Sequence, residues 1–165
     1  MALQKFDDGL AVLREALHIS QKTLGRSNKT VAQILCHIAC LYFEASELFS
    51  AQATFEDALE IYRFLCPLAN DGDACMAQMT DTLCNIGSIQ NKRKDFLSAI
   101  DCFREALDLQ RGIMAHDHPR VIATIDNLGY SFSKAKMYNQ AVACYKEMMA
   151  AQISGGTDFA GGTVA

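Results

Sequence analysis

The strongest constraint on the fold is a segment that occurs three times in the chain. It begins at Val31, and copies that align without gaps begin at Met79 and Val121, 48 and then 42 residues further on. A partial copy precedes them, because residues 6–24 match residues 48–66 at an offset of 42. Repeats of this length are supersecondary units that bury their apolar faces by stacking, so the sequence predicts a solenoid.

Each full copy contains two helical patterns. In the first half, apolar and small residues recur at spacings of three and four, which places them on one face of a helix. These residues are Leu35, Ile38, Ala39 and Tyr42; Leu83, Ile86 and Gly87; and Ile125, Leu128, Gly129 and Phe132. In the second half, a small residue precedes an aromatic residue by four positions, and a small or apolar residue follows. These residues are Ala51, Phe55 and Ala58; Ala99, Phe103 and Ala106; and Ala141, Tyr145 and Met148.

These patterns predict an all-α protein. Only two prolines, Pro67 and Pro119, interrupt the chain, which leaves long stretches free to form helices. One helix for each half of a repeat gives about seven helices, and the first is a second-half helix without its partner. We therefore expect antiparallel helix pairs stacked along one axis.

The residue pattern resembles the tetratricopeptide repeat (TPR): Leu or Ile, then Gly or Ala four residues later, and Ala-Phe-Ala in the partner helix. The 42-residue period is longer than the ~34 residues of the common form and looks like the kinesin light chain-type subset. The resemblance covers roughly residues 6–152 and implies a right-handed superhelical solenoid. The chain departs from the pattern at Gln90, where an aromatic residue is usual, and in the linker of residues 64–78, which carries six extra residues.

The repeat boundaries define one TPR domain over residues 1–152. It comprises a partial repeat at 1–28 and full repeats at 29–70, 76–115 and 118–152. Residues 153–165 have no helical period and contain four glycines, so we expect a flexible glycine-rich tail there.

In a stacked array of this kind, the first helix of each pair lines a concave surface. The positions opposite its packing face are mostly polar here, and they offer hydrogen-bond donors and acceptors to an extended peptide. The TPR resemblance implies that an asparagine at the position of Asn85 and Asn127 bonds the peptide backbone, and His37 holds the same place one repeat earlier. The predicted peptide-binding residues are Gln33, His37, Asp81, Asn85, Ser88, Lys92, Asn127, Tyr130 and Lys134.

The predicted function is therefore a non-catalytic protein–protein interaction scaffold that binds an extended peptide in a concave groove. The chaperone-tail-binding TPR subset is not expected, because Cys36, Ala123 and Asn127 stand where its carboxylate clamp has basic residues. The alternative is an oligomerising or regulatory subunit, a kinesin light chain-like adaptor, that acts through its terminal helix. That helix carries an apolar flank without a capping segment after it, which makes homodimerisation a second hypothesis. The flank consists of Val142, Tyr145, Met148 and Met149.

Composition and charge limit the classes of partner that we expect. A net charge of −4 and a pI near 5.5 argue against nucleic acid or anionic membrane. No segment approaches the ~20 apolar residues of a membrane span, and the N-terminal residues lack the apolar region of a secretory signal. The seven cysteines then indicate reduced thiols in the cytoplasm. Cys66 and Cys75 flank the inserted linker. They can form a disulfide under oxidising conditions, but nothing in the sequence requires one.

A metal site and an enzyme are the remaining alternatives. Cys36, His37 and Cys40 fall within one helical turn, but structural zinc usually takes four ligands, so no metal is predicted. The His116-Asp117-His118 cluster is better explained as the linker before Pro119, which starts a helix. No Gly-rich phosphate loop, nucleophile elbow or His-Glu-x-x-His motif occurs. We therefore predict no cofactor, no catalytic residues and no enzymatic activity.

Overall fold

The computed structural model describes residues 2–68 and 72–156. Within these ranges the chain forms seven α-helices, which confirms the all-α prediction. They are α1 Ala2–Leu24, α2 Lys29–Glu44, α3 Leu48–Leu65, α4 Gly72–Lys92, α5 Phe96–Ile113, α6 Pro119–Lys134 and α7 Tyr138–Gly156. A short 3-10 turn, Cys66–Leu68, follows α3.

Side chains at the helix starts satisfy amide groups that have no partner within the helix. Asn28 accepts a hydrogen bond from the Thr30 amide at 2.9 Å before α2. Before α6, the His118 Nδ1 accepts from the Arg120 amide at 3.2 Å, and Pro119 occupies the first turn. These capping contacts explain where the helices begin, and they give the linker before Pro119 the structural role that the sequence predicts.

The turns inside the three helix pairs share one backbone conformation. Ser46, Lys94 and Lys136 hold equivalent places and have φ angles of 64°, 64° and 62°, in the left-handed region. In each turn the next residue's amide donates to the carbonyl five residues earlier, at 2.8 or 2.9 Å. A left-handed residue cannot continue a right-handed helix, so each first helix stops there and the second returns antiparallel to it.

The helices pack as pairs that stack in chain order. The most extensive contacts join α2 to α3, α4 to α5 and α6 to α7, and α1 packs on α2 as an unpaired second-type helix. The buried core runs through the stack in two clusters, one centred on α2, α3 and α4 and the other on α5, α6 and α7. The first helices α2, α4 and α6 consequently come to lie next to one another.

The helices of a pair approach closely where a small residue faces an aromatic ring. A Cβ atom added to Gly87 would lie 2.8 to 3.0 Å from ring atoms of Phe103, nearer than carbon atoms pack. At the equivalent Gly129, the nearest ring atom of Tyr145 would be 3.0 Å away. Gly87 therefore holds the α4–α5 pair at its observed separation.

The extra residues before the second full repeat mainly lengthen α4. This helix has 21 residues, whereas α2 and α6 have 16 each. It begins at Gly72, ahead of the predicted repeat start at residue 76. Its added turn is anchored by Cys75, which is 1% exposed. The segment predicted as linker is thus largely helical from residue 72 onward.

The last helix also extends beyond its predicted end. α7 continues to Gly156, so the predicted start of the glycine-rich tail at residue 153 is too early. Ala150, Ala151 and Gln152 favour helix, and Ala151 is 1% exposed, which carries the helix past this point. The rest of the predicted tail, residues 157–165, lies outside the described residues.

The close contact at Gly87 gives a prediction about stability. We expect Gly87→Ala to lower the free energy of unfolding by about 1–3 kcal/mol, because the added methyl group overpacks the Phe103 ring. Gly112→Ala is the matched control, since a Cβ there meets no atom within 4 Å. That variant should gain about 0.5–1 kcal/mol from its helical preference. Urea denaturation measures both, and equal stabilisation by the two substitutions would contradict the proposed packing.

Candidate functional site

A recurring side-chain contact joins the first helices of successive pairs. The Cys36 sulfur lies 3.5 Å from the Thr82 hydroxyl, and the Cys84 sulfur lies 3.4 Å from the Thr124 hydroxyl. Each threonine hydroxyl already donates its hydrogen at 2.9 Å to the carbonyl four residues earlier. Each thiol must therefore be the donor to its threonine. Cys36 and Cys84 act as interhelical contacts that place α2, α4 and α6 in register.

These thiols are poorly suited to nucleophilic or metal chemistry. Burial raises the pKa of Cys36 and of Cys84. A thiol with a raised pKa stays protonated near neutral pH, whereas nucleophiles and metal ligands are thiolates. In residues 2–68 and 72–156, no three His, Cys, Asp or Glu side chains are placed to hold a metal ion.

A depression of about 220 Å³ with many polar residues lies between α2 and α4, and we call it the α2–α4 depression. Tyr62 from α3 forms its floor and is 1% exposed. On the α4 side, burial raises the pKa of the Asp81 carboxyl, and Arg120 of α6, 3.4 Å away, opposes this rise. The depression is lined by Gln33, Cys36, His37, Tyr62, Gln78, Asp81, Thr82 and Asn85.

A smaller, mostly apolar hollow of about 180 Å³ adjoins this depression. We call it the apolar hollow, and it is lined by Cys40, Phe43, Phe55, Asn85 and Ser88. The ammonium of Lys92 lies 3.7 Å from the centre of the Phe43 ring, a cation–π contact that holds one wall in place. The hollow has the size and polarity to receive an apolar side chain.

A third depression, the α4–α6 depression, has a volume of about 290 Å³. It is lined by Ser88, Asn91, Lys92, Asn127 and Tyr130. The Asn91 amide donates to the Ser131 hydroxyl at 2.9 Å, and this hydroxyl donates to the Asn127 carbonyl at 2.8 Å. The hydrogen bonds fix α4 against α6 at this end. The Lys134 ammonium lies beside the depression, 5.3 Å from the centre of the Tyr130 ring.

The three depressions form one continuous groove along α4. Asn85 belongs to both the α2–α4 depression and the apolar hollow, and Ser88 belongs to both the hollow and the α4–α6 depression. All the residues predicted to bind peptide line the groove, apart from Lys134, which borders it. Their role in binding stays a prediction. The sequence reasoning missed Tyr62 and Gln78, because Tyr62 comes from a second-type helix and Gln78 lies in the segment that the sequence assigns to the linker.

The chain is similar in sequence and in structure to known proteins. Residues 78–154 match the family model of the tetratricopeptide repeat. The fold of the chain is that of a tetratricopeptide-repeat solenoid. Over 98% of its length it resembles the crystal structure of BtubC (BKLC) from P. vanneervenii, with a TM-score of 0.78 and 20% identity. It covers 60% of that chain.

Two further structures confirm the predicted likeness to kinesin light chain-type repeats. Both are of a Podospora anserina kinesin light chain-type protein with nearly identical TPR-like repeats, one of them a variant. Their TM-scores are 0.64 and 0.66 at 15% identity, over 93% and 95% of this chain and 70% and 71% of theirs. At identities this low, the structural likeness establishes the shared fold and nothing further.

A curated relative is the clustered mitochondria protein homolog of Candida albicans. It is 24% identical over 141 residues, which is 86% of this chain and 10% of the relative. The TPR chain therefore spans about a tenth of the length of that relative. In the described ranges, no helix is both long and apolar enough to cross a membrane.

The predicted association surface on α7 has two kinds of residue. Val142 and Met149 are 51% and 58% exposed. Tyr145 and Met148 are partly buried and pack on the core formed with α5 and α6. Only part of the predicted apolar flank is therefore open to a partner.

The open question about Cys66 and Cys75 is answered by the structure, in which they form a disulfide with a Cα–Cα distance of 5.4 Å. The other five cysteines of the TPR chain are free. The bond joins the end of α3 to the added turn of α4, so it links the two sides of the inserted segment covalently. Tyr62 and Gln78 lie one turn from the two sulfurs, at the edge of the groove.

The disulfide predicts a thiol count and a loss of stability on reduction. Alkylation of the unfolded chain without reductant should add five groups, and seven after reduction. Closing a loop of this length contributes about 2–3 kcal/mol to the free energy of unfolding, which a reductant should remove. A Cys66→Ala/Cys75→Ala variant should not respond to reductant. Intact-mass spectrometry and urea denaturation test this, and seven adducts before reduction would contradict the bond.

Proposed function

We propose that the chain is a non-catalytic scaffold that binds an extended segment of a partner protein along the groove. The continuity of the three depressions along α4 carries this proposal. One wall of polar residues offers hydrogen bonds to a peptide backbone, and the apolar hollow in the middle receives a side chain. A peptide that lies along α4 meets all three depressions in turn.

Asn85 and Asn127 are the residues proposed to hold the peptide backbone. They occupy equivalent places on α4 and α6, and neither side-chain amide hydrogen-bonds to another described residue. A carboxamide both donates and accepts, so it can pair with the N–H and C=O of one extended residue. Two such amides one repeat apart fix the direction and register of the segment. His37, at the same place on α2, is the third proposed contact.

The class of partner follows from charge and fold. The chain is acidic overall, with a net charge of −4, which opposes nucleic acid and anionic membranes. We propose a protein partner and a cytoplasmic location. A kinesin light chain-like adaptor role is one form that such a scaffold takes.

The groove assignment predicts the effect of two substitutions. Peptides that bind the chain are first selected from a random library displayed on phage. We expect Asn85→Ala/Asn127→Ala to weaken their binding roughly tenfold or more, because two hydrogen bonds to the backbone are lost. Fluorescence anisotropy measures the affinities, and circular dichroism verifies the fold. Glu60→Ala/Asp101→Ala, on exposed positions of α3 and α5, is the matched control and should bind as the wild type does. Equal binding by all three proteins would contradict the groove.

A second candidate function uses the outer face of α7. Val142 and Met149 are more than half exposed, yet the equivalent residues of α5, Ile100 and Leu107, are 3% and 5% exposed because α6 covers them. The same face of α7 thus has the chemistry of a helix-packing surface. A second copy of the chain is the proposed occupant, which makes the protein a homodimer.

The α7 candidate predicts a change in mass without a change in stability. Light scattering should give a dimer for the wild type and a monomer for Val142→Glu/Met149→Glu, since two buried carboxylates oppose the contact. Val12→Glu, at a 66% exposed position of α1, is the control and should stay dimeric. A monomeric wild type at high concentration would contradict this function.

A further inference from the structure

The α2–α4 depression holds more hydrogen-bond acceptors than the chain itself satisfies. The Gln78 Oε1 atom is buried and receives no hydrogen bond. The hydroxyl of Thr82 cannot donate to it, because its hydrogen is used by the Gln78 backbone carbonyl at 2.9 Å. A buried acceptor without a donor is costly, so a ligand donor that reaches the Gln78 side chain, which lines the depression, relieves that cost.

The charge in this depression is also incompletely neutralised. The Asp81 carboxylate is half-buried, and its one described ion pair is with Arg120 at 3.4 Å, longer than a close charge-assisted hydrogen bond. A carboxylate offers about four lone-pair sites, so Asp81 retains capacity for a second cation. Burial raises the pKa of this carboxyl, and the charge of Arg120 opposes that rise.

The neighbouring parts of the groove have a different character. The apolar hollow contains no ionised side chain, and the α4–α6 depression contains Lys92, which repels a cation. The acceptors of the α2–α4 depression come from both walls, with Gln33 on α2 and Gln78, Asp81 and Asn85 on α4. A planar group with several donors can pair with acceptors on both walls, whereas an ammonium offers its donors from a single point.

On the basis of the proposed groove function, we propose that the α2–α4 depression is a subsite for an arginine side chain of the bound segment. The guanidinium presents five N–H donors in a planar fork, which suits acceptors arranged around a cleft. It pairs with Asp81 and supplies the donor that Gln78 lacks. The adjoining hollow then receives an apolar side chain of the same segment, next to the arginine.

The subsite is tested with the whole chain and a small probe. Side-chain amide signals of Gln33, Gln78 and Asn85 are followed by NMR during titration with N-acetyl-arginine methylamide. We expect these signals to shift saturably with the arginine probe and less with the lysine analogue. The citrulline analogue has nearly the same shape without the charge, and it should cause no shift. Equal shifts with arginine and citrulline, or none with arginine up to its solubility limit, would overturn the assignment.

Two substitutions with opposite expected effects separate recognition from a change in fold. Asp81→Asn should weaken binding of the arginine probe roughly tenfold, the value of a hydrogen bond to a charged group. Arg120→Gln breaks the same internal ion pair but leaves the carboxylate free, so it should tighten binding. Weakening by both variants would show that the ion pair only supports the structure, and the subsite would be wrong.

The peptides selected from the random library distinguish this inference from the groove itself. Enrichment of arginine, with affinity that depends on Asp81, supports both. Peptides that need Asn85 and Asn127 but contain no arginine would overturn the subsite and leave the groove in place. Selected peptides that bind independently of all three residues would overturn the proposed function.

Discussion

The close approach of a glycine to an aromatic ring sets the geometry of the α4–α5 and α6–α7 pairs. Gly87 lies so near Phe103 that no side chain fits between them, and Gly129 has the same relation to Tyr145. Because these pairs close on this contact, the second helices carry the aromatic core on one side of the stack. The first helices are left side by side on the other. Their polar faces then form a single surface, and the groove is a consequence of how the pairs close.

The groove also requires that the helix pairs stay in register along the stack. The inserted segment before α4 would shift this register if the structure did not absorb it. The insertion is absorbed by an additional turn of α4, and the Cys66–Cys75 disulfide ties that turn to α3. The Cys36–Thr82 contact, which spans the insertion, has nearly the same distance as the Cys84–Thr124 contact beyond it, 3.5 and 3.4 Å. His37 on α2 therefore keeps the place, one repeat earlier, that Asn85 holds on α4. Cysteine here serves structure, through one covalent bond and two interhelical hydrogen bonds.

The helices, their pairing and the polar face of the first helices could all be predicted, because each depends on periodicity within or between repeats. The positions of Asn85 and Asn127 followed from the same periodicity. The residues at the floor and at the end of the groove could not be predicted in this way. Tyr62 enters from a neighbouring helix, and Gln78 belongs to a turn that the repeat pattern assigns to a linker. Whether Cys66 meets Cys75 depends on a distance across the insertion, which spacing along the chain does not determine. Such contacts between elements of different repeats have no signature in one sequence.

The central claim is that a partner segment lies along the groove on α4, and site-specific photo-cross-linking tests it most directly. Tyr130, 45% exposed in the α4–α6 depression, is replaced by p-benzoylphenylalanine, and a library-selected peptide is added. In a second protein the same group replaces Phe64, which is 59% exposed on α3 away from the groove. The account predicts that irradiation attaches the peptide at position 130 and leaves position 64 unlinked. Attachment at position 64 with none at position 130 would contradict it and would place the binding surface on the second helices.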